Sequence, residues 1–325
     1  MDDDIRRGLS QVLWNPDENR LRTPFRLGTT LALLLFVVVL VAVVGAVIGG
    51  ALDLGATVGA AGNFLLVAVL SVALLGITYF VDRRHLGDLG LTADGAWARD
   101  IVFGFAAGFL MGATAVGAAV LAGVATVEGT LVSGDSALAA GPFPVAVALS
   151  FVSLLVLAFF EELVFRGYIL VNVAEGLRGL TDSRRATLIA LTASAVFFGF
   201  AHAANPAASP VSAANITLFG LLLGGAYVLT DRLAIPVGIH TAWNFTLGPV
   251  FGTPVSGLSA GVALVDVDLD GATYLTGGDF GLEAGLLALV ALAAGTGVLL
   301  AWLRLTTGDI SIREQVVQPD LWTRN

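Results

Sequence analysis

Residues 144–171 read PVAVALSFVSLLVLAFFEELVFRGYILV. Only Ser150 and Ser153 interrupt the apolar run before Glu161, Glu162 and Arg166 appear, and the run then resumes. At about 1.5 Å per residue this stretch is long enough to cross a hydrocarbon core of roughly 30 Å as a helix. An ionisable side chain at that depth is expensive unless it has a partner or a task. Glu162 and Arg166 are one helical turn apart on one face, so an ion pair is expected. Glu161 lies about 100° round the helix and is left without a local partner. Either both carboxylates lock Arg166 in place, or Glu161 is a general base.

The same pattern recurs along the chain. Apolar blocks at about 27–50, 63–81, 101–127, 144–171, 186–202, 211–229, 233–250 and 282–303 predict an all-α, polytopic integral membrane bundle of about eight transmembrane helices. Hydrophobic residues make up 57 % and charged residues 13 %, about half the charge of an ordinary soluble domain. The expected organisation is an N-terminal segment over 1–26, a membrane domain over 27–304 and a tail over 305–325. Ile5, Leu9, Val12 and Leu13 share one helical face beside Trp14, a pattern that fits an interfacial helix or a polar tail. The first 26 residues carry both signs of charge, unlike a cleavable secretory signal.

The arginines predict orientation. Arg83, Arg84 and Arg99, then Arg178, Arg184 and Arg185, then Arg232, fall in alternate connections, and further arginines occupy both terminal segments. The remaining connections hold no basic residue. By the positive-inside rule a multi-pass cell-membrane protein with both termini cytoplasmic is expected. All 16 basic residues are arginine, which with abundant Asp, Ala, Gly and Val resembles the composition of a high-salt, halophile-like microbe. The absence of cysteine excludes disulfide and thiolate chemistry. No basic face exists to bind nucleic acid.

Acidic residues mark the other connections, Asp279 and Glu283 among them. Asp266, Asp268, Asp270 and Gly271 match the opening of a calcium loop, but the twelfth position is Gly277. A hairpin between 264–269 and 272–275, turning at Asp270-Gly271, accounts for the same residues.

Two further patches carry polar side chains within apolar sequence. Phe198 lies one turn before His202, where its ring can pack on the imidazole, and Gly199 permits close approach of a neighbouring helix. His240 and Asn244 likewise share a face, as catalytic groups or as interhelical hydrogen-bond glue. His85 follows two arginines and reads as a solvated surface residue. Counting residues from the arginines puts Glu161 and His202 each about 25 Å from one membrane face, but His240 only about 12 Å, unless Pro236 bends its helix. No His-Glu-x-x-His run, Gly-x-Ser-x-Gly elbow or paired intramembrane aspartates are present.

Glu161-Glu162-x-x-x-Arg166, Phe198-x-x-x-His202 and His240-x-x-x-Asn244, in that order on successive spans, resemble the CPBP family of intramembrane proteases, which includes type II CAAX prenyl endopeptidases and bacteriocin-processing proteins. The resemblance covers about 144–250, with Leu89-Gly90-Leu91 as a further shared trait. It implies a membrane-embedded endopeptidase acting on a peptide or membrane-protein substrate. Glu161 and His202 would activate a water, His240 and Asn244 would stabilise the oxyanion, and Glu162, Arg166 and Phe198 would support them. No cofactor is firmly implied. If the family chemistry is that of a metalloprotease, Glu161, His202 and His240 are the zinc ligands it would use. Two other readings remain at this point: a non-proteolytic scaffold or regulatory protein of the same fold, and an ion- or proton-coupled transporter.

Overall fold

The computed structural model describes residues 12–52, 57–134 and 141–322. Helix α1 (Thr23–Leu52) and α2 (Thr57–Phe80) open the bundle. They are followed by α3 (Gly95–Leu121), α4 (Phe143–Leu177), α5 (Ser183–Ala201) and α6 (Pro210–Thr230). Then come α7 (Ala234–Phe245) and α8 (Leu287–Thr307). Among the described residues seven helices, α1–α6 and α8, are long and apolar enough to cross a membrane. Many outward side chains are large and apolar, including Phe36 and Val39 on α1, Val72 on α2 and Phe200 on α5. Such a surface is stable against lipid rather than water. The chain is a polytopic helical membrane protein.

The remaining predicted span, 233–250, is helical throughout but shorter. It runs through α7 into a π-helical turn, Thr246–Val250, and every side chain of α7 except Phe245 is buried. Glycines make room for it. A methyl group on Gly104 would lie 2.7 Å from the Ile235 carbonyl oxygen, one on Gly238 2.7 Å from the Ile101 carbonyl oxygen, and one on Gly112 2.7 Å from Thr246 Cβ. Gly104, Gly108 and Gly112 are spaced four apart on one face of α3, the small-residue stripe that lets helix backbones touch. Pro236 sits in the first turn of α7, where its missing N–H displaces no helical hydrogen bond. The helix begins inside the bundle: Leu233 and Ala234 are fully buried, and the Leu233 amide donates to the Gly90 carbonyl at 3.0 Å. Gly90 adopts a left-handed φ of 78° and has no room for a side chain against Leu233 and Arg232. The count from Arg232 sets His240 shallower than Glu161, yet His240 Nε2 and Glu161 Oε2 lie 3.6 Å apart.

The arginine-bearing connections gather at one end. Arg84 pairs with Asp88 and Glu175, Arg232 reaches Asp100 at 3.4 Å, and the Arg313 amide donates to the Val228 carbonyl at 2.9 Å. Arg20 and Arg26 join the same buried knot through Glu18, Glu175 and Asn172. Burial works against the Arg84 charge, but Asp88, Glu175 and Asp82 outweigh it and hold the guanidinium above its ordinary pKa. The expected interfacial helix lies mostly outside the described residues. Its described end, Val12 and Leu13, is helical and exposed, and β1 (Trp14–Asn15) and β2 (Arg20–Leu21) then form a small antiparallel hairpin. His85 is half-buried rather than free, its amide donating to the Asp320 carbonyl at 3.0 Å.

At the opposite end, β3 (Thr126–Ser133) pairs antiparallel with β4 (Val262–Asp268), with a register shift at Val127 and Gly129. This corrects the expected local hairpin. Residues 264–268 find their partner in the connection after α3, and Thr273–Thr276 is a helical turn. Asp266 and Asp268 thus belong to a strand, not to a calcium loop.

Candidate active site

Helix α4 changes pitch where its charges lie. After Glu162 it widens into a π-helical stretch, Leu163–Leu170, before resuming as an α-helix. Such insertions recur at functional sites because they re-aim side chains within a continuous helix. Here the Phe165 carbonyl accepts a hydrogen bond from Ser194 Oγ of α5 at 2.7 Å.

The expected Glu162–Arg166 pair is present: Arg166 Nη1 donates to Glu162 Oε1 at 2.8 Å, both side chains being essentially buried. The same Oε1 also accepts from His240 Nδ1 at 2.8 Å. Glu161 stands apart from Arg166 and faces two imidazoles. Its Oε2 is 3.6 Å from His240 Nε2 and 4.0 Å from His202 Nε2. His202 Nδ1 lies 2.8 Å from the Phe198 carbonyl oxygen, which can only accept, so Nδ1 donates there and Nε2 is the atom turned toward Glu161.

Phe198 does more than its spacing implied. Its ring meets His202 edge-on at 4.8 Å and His240 at 5.7 Å between centroids, and the Arg166 guanidinium lies 4.4 Å above it. One aromatic ring thus packs against both imidazoles and the guanidinium. Phe219 holds the other side of His240 at 5.6 Å and also packs against Trp243. Gly199 sits where a methyl would meet the Ala213 carbonyl oxygen at 2.6 Å, so α5 and α6 do approach closely there.

Glu161, His202, His240 and Asn244 all line one cavity of about 510 Å³. One wall is a stripe of α4, from Ser150 through Leu157 to Phe165. The roof comes from the loop around Val255–Ala260, on the end away from the arginines, and includes Ser256 and Leu258. Glu283 completes it, and the sequence reading placed that residue among outer acidic positions. It precedes α8 in a short turn, Leu282–Ala284, that folds back into the bundle. Glu283 Oε1 accepts from Trp243 Nε1 at 2.9 Å, and Oε2 accepts from Ser256 Oγ at 2.8 Å. Its position one residue into an apolar block was the available signal.

Residues 143–246 match the model of the family described as type II CAAX prenyl endopeptidase Rce1-like. These residues form a CPBP-family domain. The matched segment contains all four cavity-lining polar residues read from the motifs, and ends before the roof and Glu283. No curated protein and no solved structure matches the chain. At the level of the family the domain is that of a membrane endopeptidase.

The donor types of Glu161, His202 and His240 suit zinc. Their placement does not: among the described residues no group of three or more His, Asp or Glu side chains converges to metal-holding geometry. No step below is routed through a metal.

Proposed function

We propose that the cavity is the active site of an intramembrane endopeptidase in which Glu161 and His202 activate water. The observation that carries this reading is a carboxylate with two imidazole Nε2 atoms within 4.0 Å, lining a cavity inside the bundle. A span of 4.0 Å between Glu161 Oε2 and His202 Nε2 is one that a single water bridges. Glu161 takes a proton from that water as its oxygen bonds to the peptide carbonyl carbon. The carbon–nitrogen bond then breaks and the proton passes to the leaving amine. Asn244 and His240 are the donors for the developing oxyanion. With Nδ1 given to Glu162, His240 donates from Nε2 as the imidazolium, a cation seated between Glu162 and Glu161.

Orientation follows from the arginines. With their end cytoplasmic, both terminal segments face the cytoplasm and the roofed end of the cavity faces the other side.

The direct test is Glu161→Ala and His202→Ala, each purified as folded protein. Loss of peptide cleavage with unchanged insertion is expected for both, and normal turnover by either would sink the water-activation assignment. A scaffold of the same fold would show no cleavage in the parent.

A further inference from the structure

Glu283 has no part in the water-activation scheme, yet hydrogen bonds from α6, α7 and the roof converge on it. It is buried, and Asn215 Nδ2 of α6 donates to its carbonyl at 2.9 Å and to that of Gly285 at 3.0 Å, which pins its main chain to the bundle. The carboxylate then joins two parts of the cavity. Oε1 accepts from Trp243 Nε1 on α7 at 2.9 Å, and Oε2 accepts from both the amide and the hydroxyl of Ser256 in the roof.

Ser256 continues the chain of contacts. Its carbonyl accepts from Asn205 Nδ2 at 3.1 Å, and the Asn205 amide donates to the His202 carbonyl at 3.1 Å. Ser256 also holds a left-handed φ of 50°, a strained backbone for a residue other than glycine and one that persists where its surroundings enforce it. At the other end Trp243 directly precedes Asn244, and Phe219 packs at 5.6 Å on both the Trp243 and the His240 rings. The run Asn205–Ser256–Glu283–Trp243 thus crosses the roofed end of the cavity, from the turn at His202 to the helix that carries His240 and Asn244.

This arrangement needs a carboxylate. An indole N–H and a main-chain N–H can only donate. A glutamine has a single acceptor oxygen, so it would serve one of them and turn its own N–H toward the other.

We infer that Glu283 is a positioning residue: it fastens the roof to α7 and thereby fixes His240 and Asn244 relative to Glu161 and His202. The positioning role rests on the peptidase reading of those four residues, whereas the fastening of the roof does not. Two readouts on the full-length protein in detergent test it. The first needs no catalysis. Ser153 lines the same cavity on α4, and the chain has no cysteine, so Ser153→Cys is the sole thiol. Its reaction rate with a small water-soluble maleimide is compared with and without Glu283→Gln. The second readout is steady-state hydrolysis of whichever internally quenched apolar decapeptide the parent cleaves fastest.

Glu283→Gln is expected to speed labelling at least threefold and to lower kcat at least tenfold with KM changed less than threefold. Displacing a transition-state donor by a small distance acts on the chemical step. Trp243→Phe, which keeps the carboxylate but detaches α7 from it, should also lower kcat, and it decides the positioning role if Glu283→Gln does not fold. In the double variant the glutamine oxygen can take the Ser256 amide with no indole opposing it. Labelling should then return to within twofold of the parent, and the two losses of kcat should fall short of multiplying. Labelling of Glu283→Gln at the parent rate overturns the fastening, and kcat within threefold of the parent in either folded single variant overturns the positioning. If labelling quickens but the parent hydrolyses none of the peptides, the peptidase reading fails and the fastening stands. If the parent hydrolyses and Glu283→Gln matches it, the peptidase reading stands and the positioning role falls.

Discussion

Glu162 Oε1 lies 2.8 Å from His240 Nδ1, and the same oxygen is held 2.8 Å from Arg166 Nη1. A carboxylate whose spacing pointed to one local partner therefore also orients an imidazole 78 residues away. The chain Arg166–Glu162–His240 fixes which His240 nitrogen faces Glu161, and this is how second-layer partners set the orientation of a reactive ring.

Removing that carboxylate strands two groups at once. Glu162→Ala is expected to destabilise the protein by about 3–5 kcal/mol, because Arg166 is left charged and buried. Glu162→Gln should retain more stability, since its amide oxygen still accepts from Arg166 or His240. Thermal unfolding in detergent decides this, and a Glu162→Ala protein as stable as the parent would disprove the lock.

Asn244→Ala separates catalysis from helix packing. As an oxyanion donor it should lower kcat by roughly 10²–10³ with KM nearly unchanged, because the hydrogen bond matters mainly in the transition state. As interhelical glue alone it would cost about 1 kcal/mol of stability and leave the folded fraction active. The same assay addresses zinc: activity is expected to survive chelation, whereas loss restored by one equivalent of zinc would make His240 a ligand.

The seat of α7 can be tested on α3. A methyl at Gly108 would lie 2.9 Å from Ala242 Cβ and closer still to the Ile239 carbonyl oxygen, while Gly117 on the same helix has open space. Gly108→Ala is expected to destabilise by about 1–3 kcal/mol and to lower turnover by moving His240 and Asn244. Gly117→Ala should do neither, and equal unfolding curves for the two variants would refute the backbone contact.

Asp231 gives a pH dependence outside the spans. It closes α6 in the left-handed conformation (φ 57°), and burial, with Asp88 nearby, pushes its carboxyl up to about 7 despite Arg232 and Arg313. The unfolded carboxyl has the ordinary value of 3.8. Between those values the unfolded chain gives up this proton more readily, so stability falls as pH rises from about 4 to 7. Asp231→Asn removes that dependence and keeps a residue suited to positive φ. Its melting temperature should exceed the parent's at pH 8, with the difference closing near pH 4. A difference independent of pH would reject the assignment.

Topology is accessible because the parent lacks cysteine. Ser259, exposed in the cavity roof, should as Ser259→Cys react with a membrane-impermeant thiol reagent added outside intact cells. Labelling from the cytoplasmic side alone would invert the proposed orientation.

What could be read from sequence was local or global, with little between. Block hydropathy marked the membrane helices, and the fourfold spacings in Glu162–Arg166, Phe198–His202 and His240–Asn244 placed each pair on one helical face. Both follow from geometry that any helix shares, a rise of about 1.5 Å and 3.6 residues per turn. The glycine stripe of α3 was equally visible, but only in retrospect does its partner identify what it is for. Tertiary structure alone decided that β4 pairs with β3, that Glu283 returns to the cavity, and that His240 reaches the depth of Glu161. These depend on how closely helix backbones approach, as Gly104 and Gly238 allow. That approach is a property of two surfaces meeting, and neither segment encodes it by itself.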